Sequence, residues 1–131
     1  MIKKIIGLIW LPVICAVIFS GCSTIETTSR FNGRQLSASD STPVAHVHAD
    51  IWGIYIFNWP LITGSPNKIG DITFFKNTVT VNDVIAMVIN ESKELDATKI
   101  IDLQSDWDSA WKVWTLIFWV KEAQASCNAI K

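Results

Sequence analysis

Apolar residues recur with two different periods along this chain. From Pro43 to Asn58 (PVAHVHADIWGIYIFN), Ala45, Val47, Ala49 and Ile51 alternate with His46, His48, Asp50 and Trp52 in a segment rich in β-branched and aromatic side chains. A two-residue period of this kind predicts a long strand, with a bend or bulge expected near Asp50 to Gly53, where the apolar face is lost. Pro60 stops the strand. Trp59 to Asp71 (WPLITGSPNKIGD) carries Pro60, Gly64, Pro66 and Gly70 and reads as a loop, after which Ile72 to Phe75 adds a short strand. The period then changes to that of a helix: Thr80 serves as N-cap with Asp83 three residues on, and Val81, Val84, Ile85, Val88, Ile89 and Leu95 fall on one side.

Beyond the break at Asp96-Ala97-Thr98, Lys99 to Gln104 reads as a strand and Ser105 to Ala110 (SDWDSA) as a turn. From Trp111 to the end the chain reads as one long strand. Ala123, Ala125, Cys127 and Ala129 face one way, with Glu122, Gln124, Ser126 and Asn128 on the other, and the small side suits close approach of the helix. Trp107, Trp111, Trp114 and Phe118 also keep the rhythm of a helix face, but Val113, Thr115, Ile117, Trp119 and Val120 favour the strand. The order β-β-α-β-β predicts an α+β domain over residues 43–131, one helix packed on an antiparallel or mixed sheet.

Residues 1–21 have a different character. Lys3 and Lys4 precede an apolar run from Ile5 to Phe19, interrupted by Gly7 and Pro12 and closed by Ser20-Gly21 ahead of Cys22. This is the grammar of a signal peptide, too short and too broken for a comfortable membrane span. Phe19-Ser20-Gly21-Cys22 resembles the lipobox of bacterial lipoproteins, with Phe19 where the family usually has Leu. The resemblance implies cleavage before Cys22, a diacylglyceryl thioether on its sulfur and an acyl group on its new amine. The rival reading is an uncleaved N-terminal anchor. Ser23, rather than Asp, after the cysteine implies sorting to the outer membrane, facing the periplasm. Residues 23–42 (STIETTSRFNGRQLSASDST) are dense in Ser and Thr without periodicity and read as a flexible tether, so that 22–42 links the lipid to the domain. The leader and lipobox, together with Gly70-Asp71, the helix, Ala97-Thr98-Lys99-Ile100-Ile101-Asp102 and a hydrophobic closing strand, resemble the small bacterial lipoproteins called TRL-like. That family brings no catalytic residues to carry over.

Composition refines the picture. Half of the 131 residues are apolar, and 15 of those lie in the first 21, leaving an ordinary globular composition behind the leader. The formal charge is −1, with 11 basic residues against 12 acidic; losing Lys3 and Lys4 makes it −3, which speaks against nucleic acid as a partner. Of three cysteines, Cys15 leaves with the leader and Cys22 is the acylation site, so Cys127 is expected to be an unpaired, buried thiol on the helix-covered side.

His46, His48 and Asp50, at i, i+2 and i+4, share one side of a strand and are the only metal-like constellation: either a Zn²⁺ or Cu²⁺ site of a periplasmic metal-binding protein, or the polar side of an alternating strand. Among the seven tryptophans, Trp107 and Trp111 are expected to be exposed and to belong to a contact surface for a glycan or an envelope protein. Asp102, Asp106 and Asp108 read either as a glycosidase-like or Ca²⁺-binding cluster or, more simply, as a solvated turn. Without a phosphate loop, a nucleophile elbow or a useful Ser, His, Asp order, no catalytic residue is assigned. No cofactor is expected beyond the covalent lipid. The sequence therefore predicts a lipid-anchored binding or structural module.

Overall fold

A computed structural model of the chain describes residues 22–29, 42–111 and 117–131. Within them the order is β1 (Ser23–Thr28), β2 (Pro43–Ile56), β3 (Trp59–Gly64), β4 (Ile72–Phe74), α1 (Val81–Glu94), β5 (Lys99–Trp111) and β6 (Phe118–Ile130). The strands form one six-stranded sheet in the order β4-β3-β2-β6-β5, with β1 also paired to β2. Every pairing is antiparallel. The helix lies on one side of the sheet, against β2 and β6, which makes the α+β class expected from the periodicity the observed one.

The two central strands explain this arrangement. β2 and β6 pair along their whole length, from Pro43 opposite Ile130 to Ile56 opposite Phe118. Ala45, Val47, Ala49 and Ile51 on one strand and Ala123, Ala125, Cys127 and Ala129 on the other are all buried, in the predicted phase. Their small side chains let α1 approach closely, and Val84, Met87 and Val88 of the helix fill the space above them. The Thr80 hydroxyl accepts the Asp83 amide at 3.1 Å and donates to the Asp83 carboxylate at 2.7 Å, which is the expected N-cap. Cys127 is fully buried; its thiol lies 3.6 Å from the Ser92 hydroxyl, and burial pushes its pKa up. It packs as a small hydrophobe.

Several expectations are corrected. The segment 23–28, expected as tether, is β1: Thr24, Ile25, Thr27 and Thr28 are β-branched, and the edge of β2 offers them a ladder from Ser23 opposite Ile51 to Thr28 opposite His46. The rest of the tether, 30–41, and the signal peptide, 1–21, lie outside the described residues. Trp59 to Gly64 is a strand despite Pro60: the β2–β3 register slips beside it, between Ile54 and Tyr55, and β4 pairs only with Ile62 to Gly64, so Pro60 faces β2 alone. Asp50 to Gly53, expected to bulge, runs in unbroken register with β6. What changes there is the neighbour on the other edge, since β1 ends at Ile51 and β3 begins at Gly53. The expected turn at Ser105 to Ala110 is the middle of β5, and the expected single strand from Trp111 is a hairpin, with Trp111 opposite Trp119. Residues 112–116, including Trp114, lie outside the described set.

β1 and β3 meet end to end at Gly64. The Cys22 carbonyl accepts the Trp52 amide at 2.9 Å, and a Cβ on Gly64 would stand 2.2 Å from that same oxygen. Gly64→Ala is therefore expected to displace the start of β1, lowering stability by roughly 1–3 kcal/mol. The Trp52 amide should exchange faster in the variant, and an unchanged Trp52 exchange rate would show that β1 is not held at this junction.

Candidate functional site

The helix covers only part of its side of the sheet. Toward the β5–β6 hairpin, the same side continues past the helix with buried Tyr55 on β2 and Phe57 in the turn after it, Trp107, Ser109 and Trp111 on β5, and Trp119 and Lys121 on β6, the alternation carrying the strand residues to one face. Phe57, Asn58, Trp107, Ser109, Trp119 and Lys121 line a cleft of about 310 Å³. Trp111 stacks on Trp119 with ring centroids 6.3 Å apart and planes 28° from parallel. Trp107 is 48% exposed and Trp111 44%, so large apolar surfaces stand in water here.

Polar groups are held among these rings. The Lys121 ammonium donates to the Asn58 side-chain oxygen at 3.2 Å and sits 4.5 Å from the centroid of the Tyr55 ring. Tyr55 is buried, its hydroxyl donates to Asn77 at 2.6 Å, and burial pushes its pKa up to about 12, so it remains a neutral floor under the lysine. Phe57 closes the β2–β3 turn at φ 52, a left-handed conformation that costs a bulky residue about 1–2 kcal/mol. Its amide donates to the Ile117 carbonyl at 3.0 Å, which ties this turn to the hairpin. A strained aromatic held open at the mouth of a cleft is an arrangement that packing alone does not require.

Trp107 and Trp111 are thus exposed as expected, but they stand on a strand. Phe57, Asn58, Trp119 and Lys121 join them only because the chain reverses between Trp111 and Phe118. The one sequence signal for these partners was the density of aromatics at 107–119, which does not itself reveal the reversal.

The remaining candidates lie on the opposite side of the sheet. His46 Nδ1 is 2.8 Å from the Asn128 side-chain oxygen, and the Asn128 amide donates to Asp102 at 3.0 Å. His48, opposite Ser126, borders a shallower hollow of about 190 Å³ with Gln104, Asp106 and Gln124. Among the described residues, no three His, Cys, Asp or Glu side chains gather as a metal-holding group. Asp102, Asp106 and Asp108 do not share a turn. Asp102 sits at φ 53 where the β5–β6 register shifts, Asp106 accepts the Trp107 amide at 2.8 Å, and Asp108 stands opposite Glu122. Cys22 is buried at the head of β1, and burial raises its thiol pKa.

Asp50 is the perturbed carboxyl of this face. Burial raises its pKa first and the Glu122 carboxylate adds to the rise, against a hydrogen bond from the Thr24 hydroxyl at 3.3 Å and the His48 charge. The folded state therefore holds this proton more tightly than the unfolded chain, and stability falls as pH climbs from the ordinary value of 3.8 through the raised folded one. Asp50→Asn should melt higher than the parent at neutral pH, with the difference closing below the ordinary carboxylate range. Parallel melting curves across the whole pH series would mean that Asp50 ionises in the fold without penalty.

No family model matches the chain, and no curated protein or solved structure matches it.

Proposed function

We propose that this protein is a lipid-anchored lipoprotein of the bacterial cell envelope whose α+β domain is a glycan-binding module, with the cleft of Phe57, Trp107, Trp119 and Lys121 as its site. The leader and Phe19-Ser20-Gly21-Cys22 support the anchor. Cys22 is buried at the head of β1, so an acylated Cys22 requires its side chain to leave that position. No helix among the described residues is long and apolar enough to cross a membrane, so the lipid would supply the attachment.

The observation that carries the binding reading is the exposed aromatic surface flanked by fixed polar groups. Sugar rings present apolar C–H faces bounded by hydroxyls, and flat indole rings beside an ammonium, an amide and a hydroxyl match both parts. The cleft is open and shallow, which suits a chain of sugars better than a small buried molecule.

Two measurements test this reading. Mass spectrometry of the mature N-terminus is expected to find an acylated Cys22, with Cys22→Ala accumulating as uncleaved precursor; a mature chain beginning at Ser23, or an unmodified Cys22, would remove the anchor. Titration with soluble peptidoglycan fragments is expected to shift tryptophan emission to the blue. Trp107→Ala should weaken that binding by roughly 30-fold, the effect of a central contact worth about 2 kcal/mol. Phe57→Gly should do the opposite to stability and affinity: relief of the left-handed strain raises the melting temperature, while loss of the ring weakens binding. If Phe57→Gly leaves the titration untouched, the cleft is not the glycan site.

A further inference from the structure

The aromatic cleft is a trough between rows of the sheet. In register, Gly53 of β2, Lys121 of β6 and Ser109 of β5 form one row; Ile51, Ala123 and Trp107 form the row on one side of it, and Tyr55, Trp119 and Trp111 the row on the other. Residues two apart on a strand share a face, so these rows follow one another on the side of the sheet that carries α1. The middle row is low, because glycine and serine add little beside the lysine. Trp107 and Trp111 bound it, four residues or roughly 13 Å apart along β5. Among the described residues that line the cleft, Lys121 alone is charged.

That charge has no counter-ion in the described fold. An ammonium carries three donors, of which Asn58 Oδ1 takes one at 3.2 Å, and the Tyr55 ring it faces is neutral. The ion pairs among the described residues join Lys68 to Asp71 and Lys131 to Asp96, and Lys121 enters neither. The chain around the cleft also excludes acids. Residues 51–70, which contain the β2–β3 turn, and residues 109–121, which contain the reversal between β5 and β6, hold none of the 12 acidic residues of the chain, and the second run holds two lysines. Asp106, Asp108 and Glu122, next in sequence to Trp107, Ser109 and Lys121, are carried by strand alternation to the opposite face. A half-buried ammonium with donors left over, in a cleft without a carboxylate, takes its counter-ion from the ligand.

Resting on the reading of the cleft as a glycan site, we propose that its ligand is a carboxylate-bearing glycan, with sugar rings stacked on Trp107 and Trp119 and a carboxylate held by Lys121 between them. Lys121 then sets the specificity. The indoles accept any apolar pyranose face, whereas a charge-assisted hydrogen bond selects the acidic sugar. A lactyl-ether sugar and a uronic acid both supply that group, and the test separates them.

Three tetrasaccharides are titrated into the full chain in detergent, with tryptophan emission as the readout. Chitotetraose is neutral. The peptidoglycan tetrasaccharide freed of its stem peptides adds lactyl carboxylates to the same backbone, and tetragalacturonate carries its carboxylates on the rings. At least one acidic sugar is expected to bind about 10-fold more tightly than chitotetraose, the effect of one hydrogen bond to a charged group, with the gap narrowing as salt is raised. The tighter of the two identifies the source of the carboxylate. Lys121→Met, which keeps the apolar stem, should bring the acidic sugars down to the level of chitotetraose and leave chitotetraose binding in place, and Lys121→Arg should restore the gap. If Lys121→Met fails to fold, the parent's own ranking of the three sugars decides. Acidic sugars that bind no better than chitotetraose, or a preference that survives in folded Lys121→Met, would overturn the carboxylate and leave the glycan reading standing. Binding of none of the three would overturn the glycan reading, and this proposal with it.

Discussion

Everything in this fold depends on how closely α1 can approach β2 and β6. The two strands present Ala45, Ala49, Ala123, Ala125, Cys127 and Ala129 to the helix, with only Val47 and Ile51 as larger contributions. Small side chains lower the floor of the interface, and Val84, Met87 and Val88 descend into it. The same fact explains why Cys127 is buried: a thiol has the volume of a small hydrophobe and fits a site at helix contact distance. A larger residue at any of these alanines would lift the helix as a whole, because a packed core does not absorb added volume locally.

The helix is shorter than the strands it covers, and the consequence is the aromatic cleft. Fourteen helical residues rise about 21 Å, whereas the 14 residues of β2 extend more than twice that distance. Among the described residues, the overhang at the β5–β6 end has no second layer above it. Indole and phenyl groups occupy that uncovered stretch, with Lys121 braced over Tyr55 at its border. The apolar surface left there is thus a direct product of mismatched element lengths, and its content of polar groups is what separates a binding surface from an incomplete core.

How much of this was legible follows from what each signal measures. The phase of β6 was readable because Ala123, Ala125, Cys127 and Ala129 alternate with polar residues over a stretch long enough to exclude a helix, and α1 was readable from Thr80, Asp83 and the helical spacing behind them. The pairing of β5 with β6 as a hairpin was not, since the sequence between Trp111 and Phe118, KVWTLI, contains no Gly, Pro, Asn or Asp to mark a turn. β3 was hidden by Pro60, which a central strand excludes but a slipped register tolerates. β1 was hidden by composition: Ser and Thr suggest a solvated tether, but β-branched threonine becomes a strand former once an open edge is available. The cleft inherits these difficulties. Trp107 and Trp111 could be singled out from their acidic neighbours, whereas Trp119, Lys121 and Phe57 join them only through pairings between segments far apart in the chain.

The β2–β6 ladder also governs when the molecule can exist as a folded object. Its partners are separated by most of the domain, with Pro43 opposite Ile130 and Val47 opposite Cys127. β2 is synthesised early, yet one whole side of it stays unpaired until β6 has been made, and α1 has half a floor until then. Loop closure over such separations is slow, and although β1 to β4 can pair with one another, the floor under α1 is complete only with β6. A chain of this design completes its core only when its last strand has been made, so the C-terminal residues decide when the rest of the sheet becomes a finished fold.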